Sequence, residues 1–264
     1  MLIRWHCIAG VIERHVLLQF RDLYRIIDNF YWPMFDVILW GFMSLWVTER
    51  DGNKSPEIML AILGGVFLWN MLYRSSLEVS VNLTEELWSR NLINLFSTPL
   101  TISEWLCSLL VMGVIRVLLT VAVLSAAIFF IFNVNVFSIG LPMLWCILLQ
   151  MISGWSIGII CAALIIYWGH TVQSLPWPMG WFFAPFCGAF APIEVMPAWI
   201  QKISAFIPMT YTFIAMRGAI AGEPVEIFLL KGLLLNLFYL MCALFLFFYL
   251  FKLSKVYGLE RLED

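Results

Sequence analysis

The chain has 264 residues, of which 62% are hydrophobic and only 12% are charged, and its formal net charge is −2. Soluble domains have about 25% charged residues because their surfaces face water, so this composition excludes a soluble globular protein. The near-neutral charge also excludes a basic surface for nucleic acid. Lipid must therefore cover most of the surface.

Residues 1–28 predict a helix that lies in the membrane interface. Ile12, Val16 and Phe20 repeat at helical spacing, and Arg14 and Arg21 fall on the opposite side. Such a helix keeps its charged face in water and its apolar face in lipid. Charged residues occur throughout the segment, so we expect no cleavable signal peptide.

Long apolar stretches follow, and each is close to the roughly 20 residues that a membrane span needs. They predict spans at 30–47, 58–81, 111–132, 139–168 and 228–251. The apolar stretch 177–191 is short and is surrounded by prolines, which favours a re-entrant helical hairpin near a fifth span. We therefore expect an all-α polytopic membrane protein, a single permease domain of six spans over 1–264 with an outer re-entrant region at 192–224.

The distribution of Lys and Arg indicates the orientation, because cytoplasmic loops are enriched in these residues. With the N-terminus inside, the outer segments hold fewer of them than the inner segments. The inner set is Arg4, Arg14, Arg21, Arg25, Arg90, Lys252, Lys255 and Arg261, and the outer set is Arg50, Lys54, Lys202 and Arg217. Both termini are therefore expected in the cytoplasm.

No pattern for catalysis or metal binding is visible. The sequence has no Gly-x-x-x-x-Gly-Lys-Ser/Thr loop and no Cys-x-x-Cys pair, and His6, His15 and His170 are far apart. We expect no catalytic residue, no metal and no cofactor in this chain. Gly154, Gly158 and Ala162 form a stripe of small residues that predicts close helix packing.

Polar residues inside the predicted spans are the candidates for a transport pathway, because charges in hydrocarbon are costly. Asp36 lies in the first span, and Asn70, Arg74 and Glu78 share one face of the second. We predict an ion pair between Asp36 and Arg74. Alternatively, Asp36 is protonated or faces a wet cavity, while Arg74 and Glu78 extend to the inner interface. Arg116, early in the third span, is expected to extend to the interface as well.

Two segments resemble the type-2 ATP-binding-cassette (ABC) exporter permeases. The stretch from Glu85 to Leu100, with Thr98-Pro99 near its end, is similar to the loop before the third span of that family. The outer segment has the family pattern Met196-Pro197-Ala198-Trp199, then Pro208, Thr210-Tyr211 and Arg217. Ser89-Arg90-Asn91 replaces the usual Glu-x-Gly-Thr, so the subfamily and the substrate stay open.

The resemblance implies a homodimeric permease of the bacterial inner membrane that works with two copies of a separate ATPase, which binds ATP and Mg²⁺. The segment 84–100 would couple to the ATPase, and 84–96 is predicted to form a cytoplasmic helix capped by Thr84. The coupling candidates are Glu85, Glu86, Arg90, Asn94 and Phe96. The candidates for an outer gate are Glu194, Pro197, Trp199, Pro208, Tyr211 and Arg217.

The substrate class is open among amphiphilic drugs, lipids and lipid-linked glycans. The main alternative to an exporter is a channel or ion-coupled carrier that uses Asp36, Arg74 and Glu78 as a relay. An intramembrane enzyme would need a clustered acid, base or metal site that the sequence does not show.

Overall fold

The computed structural model describes residues 4–21, 23–50 and 56–257, apart from the side chains at 20, 24–26, 28, 50, 93 and 96. These residues form helices joined by turns and short 3₁₀ segments, without a β-strand, as the sequence predicts. The helices are α1 Trp5–Arg21, α2 Leu23–Arg50, α3 Pro56–Trp88, α4 Leu92–Ser97, α5 Ile102–Phe132, α6 Leu141–Trp168, α7 Pro176–Phe182, α8 Ala198–Ser204, α9 Pro208–Ile220 and α10 Glu226–Tyr257.

Five of these helices are long and apolar enough to cross a membrane, namely α2 (over Asn29–Glu49), α3, α5, α6 and α10. Four are longer than the predicted spans. Helix α2 already begins at Leu23, α3 continues past residue 81 to Trp88, α5 already begins at Ile102, and α10 extends to Tyr257. The 33 residues of α3 extend about 50 Å, well beyond the roughly 30 Å of hydrocarbon. The polar cluster between the second and third spans is therefore largely helical.

The segment between α6 and α8 runs alongside α3 without forming one continuous helix. Its Trp177 stacks on Trp88 with ring centroids 6.1 Å apart, and a methyl group on Gly65 would lie 2.5 Å from the carbonyl oxygen of Ala189. Gly65 and Trp88 are 23 positions apart, about 34 Å along a helix. The apolar stretch 177–191 thus follows α3 in one direction as a broken segment and does not itself fold back as a hairpin.

Helices α8 and α9 meet at an angle of 103°, and we call this bent pair the hairpin. At its tip, the carbonyl oxygen of Phe206 accepts a hydrogen bond of 3.0 Å from the Tyr239 hydroxyl. Tyr239 is 13 positions into α10, so the tip lies about 20 Å below the start of that helix. The Tyr211 hydroxyl donates to the Ala205 carbonyl oxygen (2.9 Å) and holds the bend.

The predicted stripe of small residues brings α6 against α3. A methyl group on Gly154 would lie 2.6 Å from Cβ of Ser75, and one on Gly158 would lie within contact distance of the Ser76 backbone. Ala162, one turn further on, is fully buried. The stripe therefore lets two backbones approach closely, and the prediction of helix packing is confirmed.

Candidate coupling segment and intramembrane groove

The chain turns sharply between α3 and the short helix α4. Arg90 has a φ of +50°, and the N–H of Asn91 donates to the carbonyl oxygen of Glu86 at 3.0 Å. The prediction of one helix over 84–96 capped by Thr84 is wrong. Thr84 is buried inside α3, and its hydroxyl donates to the Ser80 carbonyl oxygen (2.9 Å). The side chains of Leu83 and Leu87 are fully buried, and their packing stabilises the helix as far as residue 88.

The coupling candidates differ in accessibility. Arg90 and Asn94 are exposed, Glu85 is half-buried, and Glu86 is buried. The side chain of Phe96 lies outside the described residues. Arg90 and Asn94 are therefore the candidates that present polar groups at the surface of this segment.

Glu86 holds the segment in place from within. The Arg14 guanidinium approaches both of its carboxylate oxygens, at 2.7 and 3.1 Å. The amide of Asn91 donates to Oε2 of Glu86 at 2.6 Å. Helix α1 is thus paired to the end of α3 and to the turn before α4.

A second ion pair joins α1 to the start of α5. Nε and Nη2 of Arg4 donate to Glu104 at 2.9 and 2.8 Å, and Arg4 also donates to the carbonyl oxygen of Pro99. The hydrogen bond with Glu104 raises the pKa of Arg4 above its ordinary value. Glu104 and Thr101 form a capping box at the same helix end. Both flanks of α4 are therefore held by α1.

A groove leads from this end of the bundle along one face of α3. It consists of two cavities, about 540 and 280 Å³ in volume, that share Arg74, Leu77 and Trp177. The larger cavity is lined also by Trp32, Phe35, Asp36, Asn70, Tyr73 and Trp181, and the smaller one by Gln19, Asn29, Glu78, Val81, Asn82, Glu85, Trp88 and Arg116. The α3 residues among them recur at helical spacing, so they form one continuous stripe.

Aromatic rings border the groove over its length. Trp181 lies with its ring centroid 5.3 Å from that of Trp69 and 5.9 Å from that of Tyr73. Near α4, Trp88 stacks on Trp177, and its indole N–H donates to Oε1 of Gln173 at 2.6 Å. These contacts close the α4 end of the groove against the broken segment between α6 and α8.

Asp36 and Arg74 both line the larger cavity, but the structure places no ion pair between these two described residues, so that prediction is wrong. Asp36 accepts a hydrogen bond of 3.3 Å from Asn70. Arg74 donates to the side-chain and main-chain oxygens of Asn29, at 3.1 and 3.0 Å. Pro33, four residues further along α2, has no N–H to offer that carbonyl group. Arg74 therefore satisfies an acceptor that proline leaves free.

The ion pair among the polar residues of the predicted spans is instead Glu78 and Arg116. Oε2 of Glu78 lies 3.0 Å from Nη1 of Arg116, and Asn82 donates to Oε1 at 3.0 Å. The side chain of Glu78 is 1% exposed and that of Arg116 is 22% exposed. Each residue therefore neutralises the other between α3 and α5, and their extension to the membrane interface stays a prediction.

The profile of the ABC-2 type transporter family matches residues 14–221, which is more than three quarters of the chain. The chain belongs to the ABC-2 type transporter family. Comparison with curated proteins gives no significant match. As a member of this family, the chain is the membrane permease component of an ABC transporter and a multi-pass membrane protein. The match begins within α1 and ends just after α9, so it includes α4, the described lining of the groove and the hairpin.

In this ABC-2 permease the six outer-gate candidates do not form one cluster. Glu194 and Arg217 line a pocket of about 240 Å³ beside Glu223, and Arg217 donates to the carbonyl oxygens of Gly188 (2.5 Å) and Ala189 (3.1 Å). The remaining four are distributed along the hairpin, where Pro197 and Trp199 are exposed, Pro208 is buried and Tyr211 is half-buried. Arg217 thus joins the hairpin to the broken segment between α6 and α8.

The sequence analysis named most of the charged residues, but it did not predict which of them form ion pairs with one another. Arg116 and Glu78 are 38 positions apart on different helices, and Arg4 and Glu104 are 100 positions apart. The Thr101–Glu104 capping box was visible as a sequence signal, because a Thr followed three residues later by Glu precedes an apolar run. It marks the true start of α5, nine residues before the predicted span.

Proposed function

We propose that this ABC-2 permease forms a homodimer and, with two copies of a separate ATPase that binds ATP and Mg²⁺, exports an amphiphilic, lipid or lipid-linked glycan substrate. The observation that supports this function best is the short helix α4, which is held between α3 and α5, buries Leu92 and Leu95 and exposes Asn94. The transporter works in the bacterial inner membrane with α4 on the cytoplasmic side. Membership of the family sets aside the alternative of a channel or ion-coupled carrier.

The contacts of α4 suit it to transmit force. It is six residues long, too short to be stable alone, and it depends on the helices at its flanks. Glu86 at the end of α3 and Glu104 at the start of α5 are both paired to α1. A push by the ATPase on Arg90 or Asn94 would therefore move the ends of α3 and α5 together.

The groove is the proposed substrate path. From Asn70 to Trp88 it follows 18 positions of α3, about 27 Å. Aromatic rings offer contact to the apolar part of an amphiphile, and the polar stripe offers hydrogen bonds to its head group. Because α3 lines the groove and also ends at the coupling turn, displacement of α4 would change the shape of the path.

The positions of the chain ends support the orientation. The Leu87 end of α3 packs in one apolar cluster with Val11 of α1 and Phe251 of α10. The interfacial helix and the end of α10 therefore lie at the same end of the bundle as α4. If α4 meets the ATPase, both ends are cytoplasmic.

A coupling assay tests this function. The permease and the ATPase encoded by a neighbouring gene are reconstituted in proteoliposomes, and ATP hydrolysis and substrate movement are measured together. The Arg90→Ala/Asn94→Ala double variant is expected to lose most substrate movement per ATP while its helical content and thermal stability stay unchanged, since both side chains are exposed. Glu57→Ala, an exposed change at the opposite end of α3, is the control. Normal coupling in the double variant would refute the role of α4.

A further inference from the structure

Asp36 is the only carboxylate among the described residues that line the larger cavity of the groove, and the other walls are mainly aromatic. The aromatic residues are Trp32, Phe35, Tyr73, Trp177 and Trp181. At about 540 Å³ the cavity is within the usual range for sites that bind drug-sized molecules. The cavity therefore presents a carboxylate and aromatic ring faces to a ligand that enters it.

The carboxylate of Asp36 keeps most of its capacity to accept hydrogen bonds. Within the described part of the chain, its hydrogen bond is the one from Asn70, and at 3.3 Å it is long. A carboxylate has about four acceptor positions. The remaining ones are available to a group that enters the cavity.

The guanidinium groups of the groove are bonded within the protein, so they offer less to a negative ligand than Asp36 offers to a positive one. The larger cavity holds Asp36 and Arg74, and the described lining of the smaller cavity adds Glu78, Glu85 and Arg116. Arg116 is paired with Glu78. Arg74 donates to the side chain and backbone of α2 near its start. The guanidinium groups are therefore engaged with the protein itself.

We propose that the larger cavity recognises the positive head group of a cationic amphiphile, which Asp36 binds within the aromatic walls. The faces of Trp and Tyr rings attract cations, most strongly where water is excluded. The apolar part of the ligand extends along the groove toward Trp88. This inference rests on the proposed function, because it assigns the chemical class of the molecule that the groove transports.

Two lipophilic ions of the same shape and opposite charge test the inference. Tetraphenylphosphonium and tetraphenylborate are titrated onto the full-length permease in lipid nanodiscs, with empty nanodiscs to correct for partition into lipid, and binding is followed by tryptophan fluorescence. We expect the cation to bind more tightly than the anion. Asp36→Asn should weaken cation binding by at least about tenfold, whereas the exposed Glu226→Gln should not change it.

Trp181→Leu provides a second test in case Asp36→Asn does not fold, and it should weaken binding of the cation several-fold. Equal binding of the two ions, or tighter binding of the anion, would overturn the inference. If the ions bind in one of these two ways and Trp181→Leu still abolishes their binding, the groove remains a substrate path without selection for positive charge. If neither ion binds and the groove variants transport normally, the proposed path fails as well.

Discussion

Replacing Glu78 with glutamine should destabilise the permease strongly, because it removes the charge that neutralises Arg116 between α3 and α5. The two side chains are 3.0 Å apart, and Glu78 is 1% exposed. Removing one member of a buried ion pair costs roughly 3–5 kcal/mol. Arg116 is 22% exposed and can reach some water, so we expect about 2–4 kcal/mol for this variant.

The double variant Glu78→Gln/Arg116→Met separates the pair from its individual members. It removes both charges and keeps similar side-chain volumes, so it should recover a large part of the stability that Glu78→Gln loses. The interaction energy in the double-mutant cycle should exceed about 1 kcal/mol, as for residues in direct contact. Glu57→Gln, at an exposed position of the same helix, is the control.

The assay is reversible unfolding of the purified permease in mixed micelles, followed by tryptophan fluorescence and checked by circular dichroism. Additive losses for Glu78→Gln and Arg116→Met would refute the pairing. An unchanged unfolding midpoint for Glu78→Gln would show that the negative charge of Glu78 does not stabilise the fold.

Three further predictions concern packing, gating and topology. Gly154→Ala should lower the free energy of unfolding by about 1–3 kcal/mol through overpacking of α6 on α3, whereas Gly10→Ala, which meets no atom within 4 Å, should not lower it. Trp88→Ala removes the stack and the hydrogen bond that close the α4 end of the groove, so a soluble quencher should reach Trp177 faster. Cysteine at the exposed Glu223, in a background without native cysteines, should react with an impermeant thiol reagent added outside; labelling only from inside would reverse the topology.

The departures from prediction in α3 and α5 have a common origin. Span limits were placed where polar residues begin, but polar side chains near α4 are accommodated inside the helices by local bonds. Asn82 donates to Glu78, Thr84 donates to the Ser80 carbonyl oxygen, and Thr101 caps α5. A helix that leaves the membrane can continue in water, so hydropathy marks the span and not the end of the helix.

The sequence by itself determined the membrane class, the amphipathic helix α1, the close packing at Gly154 and the family. These properties follow from composition, from local spacing and from short motifs, none of which depends on distant contacts. Only the tertiary structure decided which polar groups meet. Depth along a helix can be counted from the sequence, but rotation about its axis and the position of its neighbours cannot. Arg74 therefore bonds to the Asn29 carbonyl that Pro33 leaves free, and Glu78 pairs with Arg116, because packing turns those faces together.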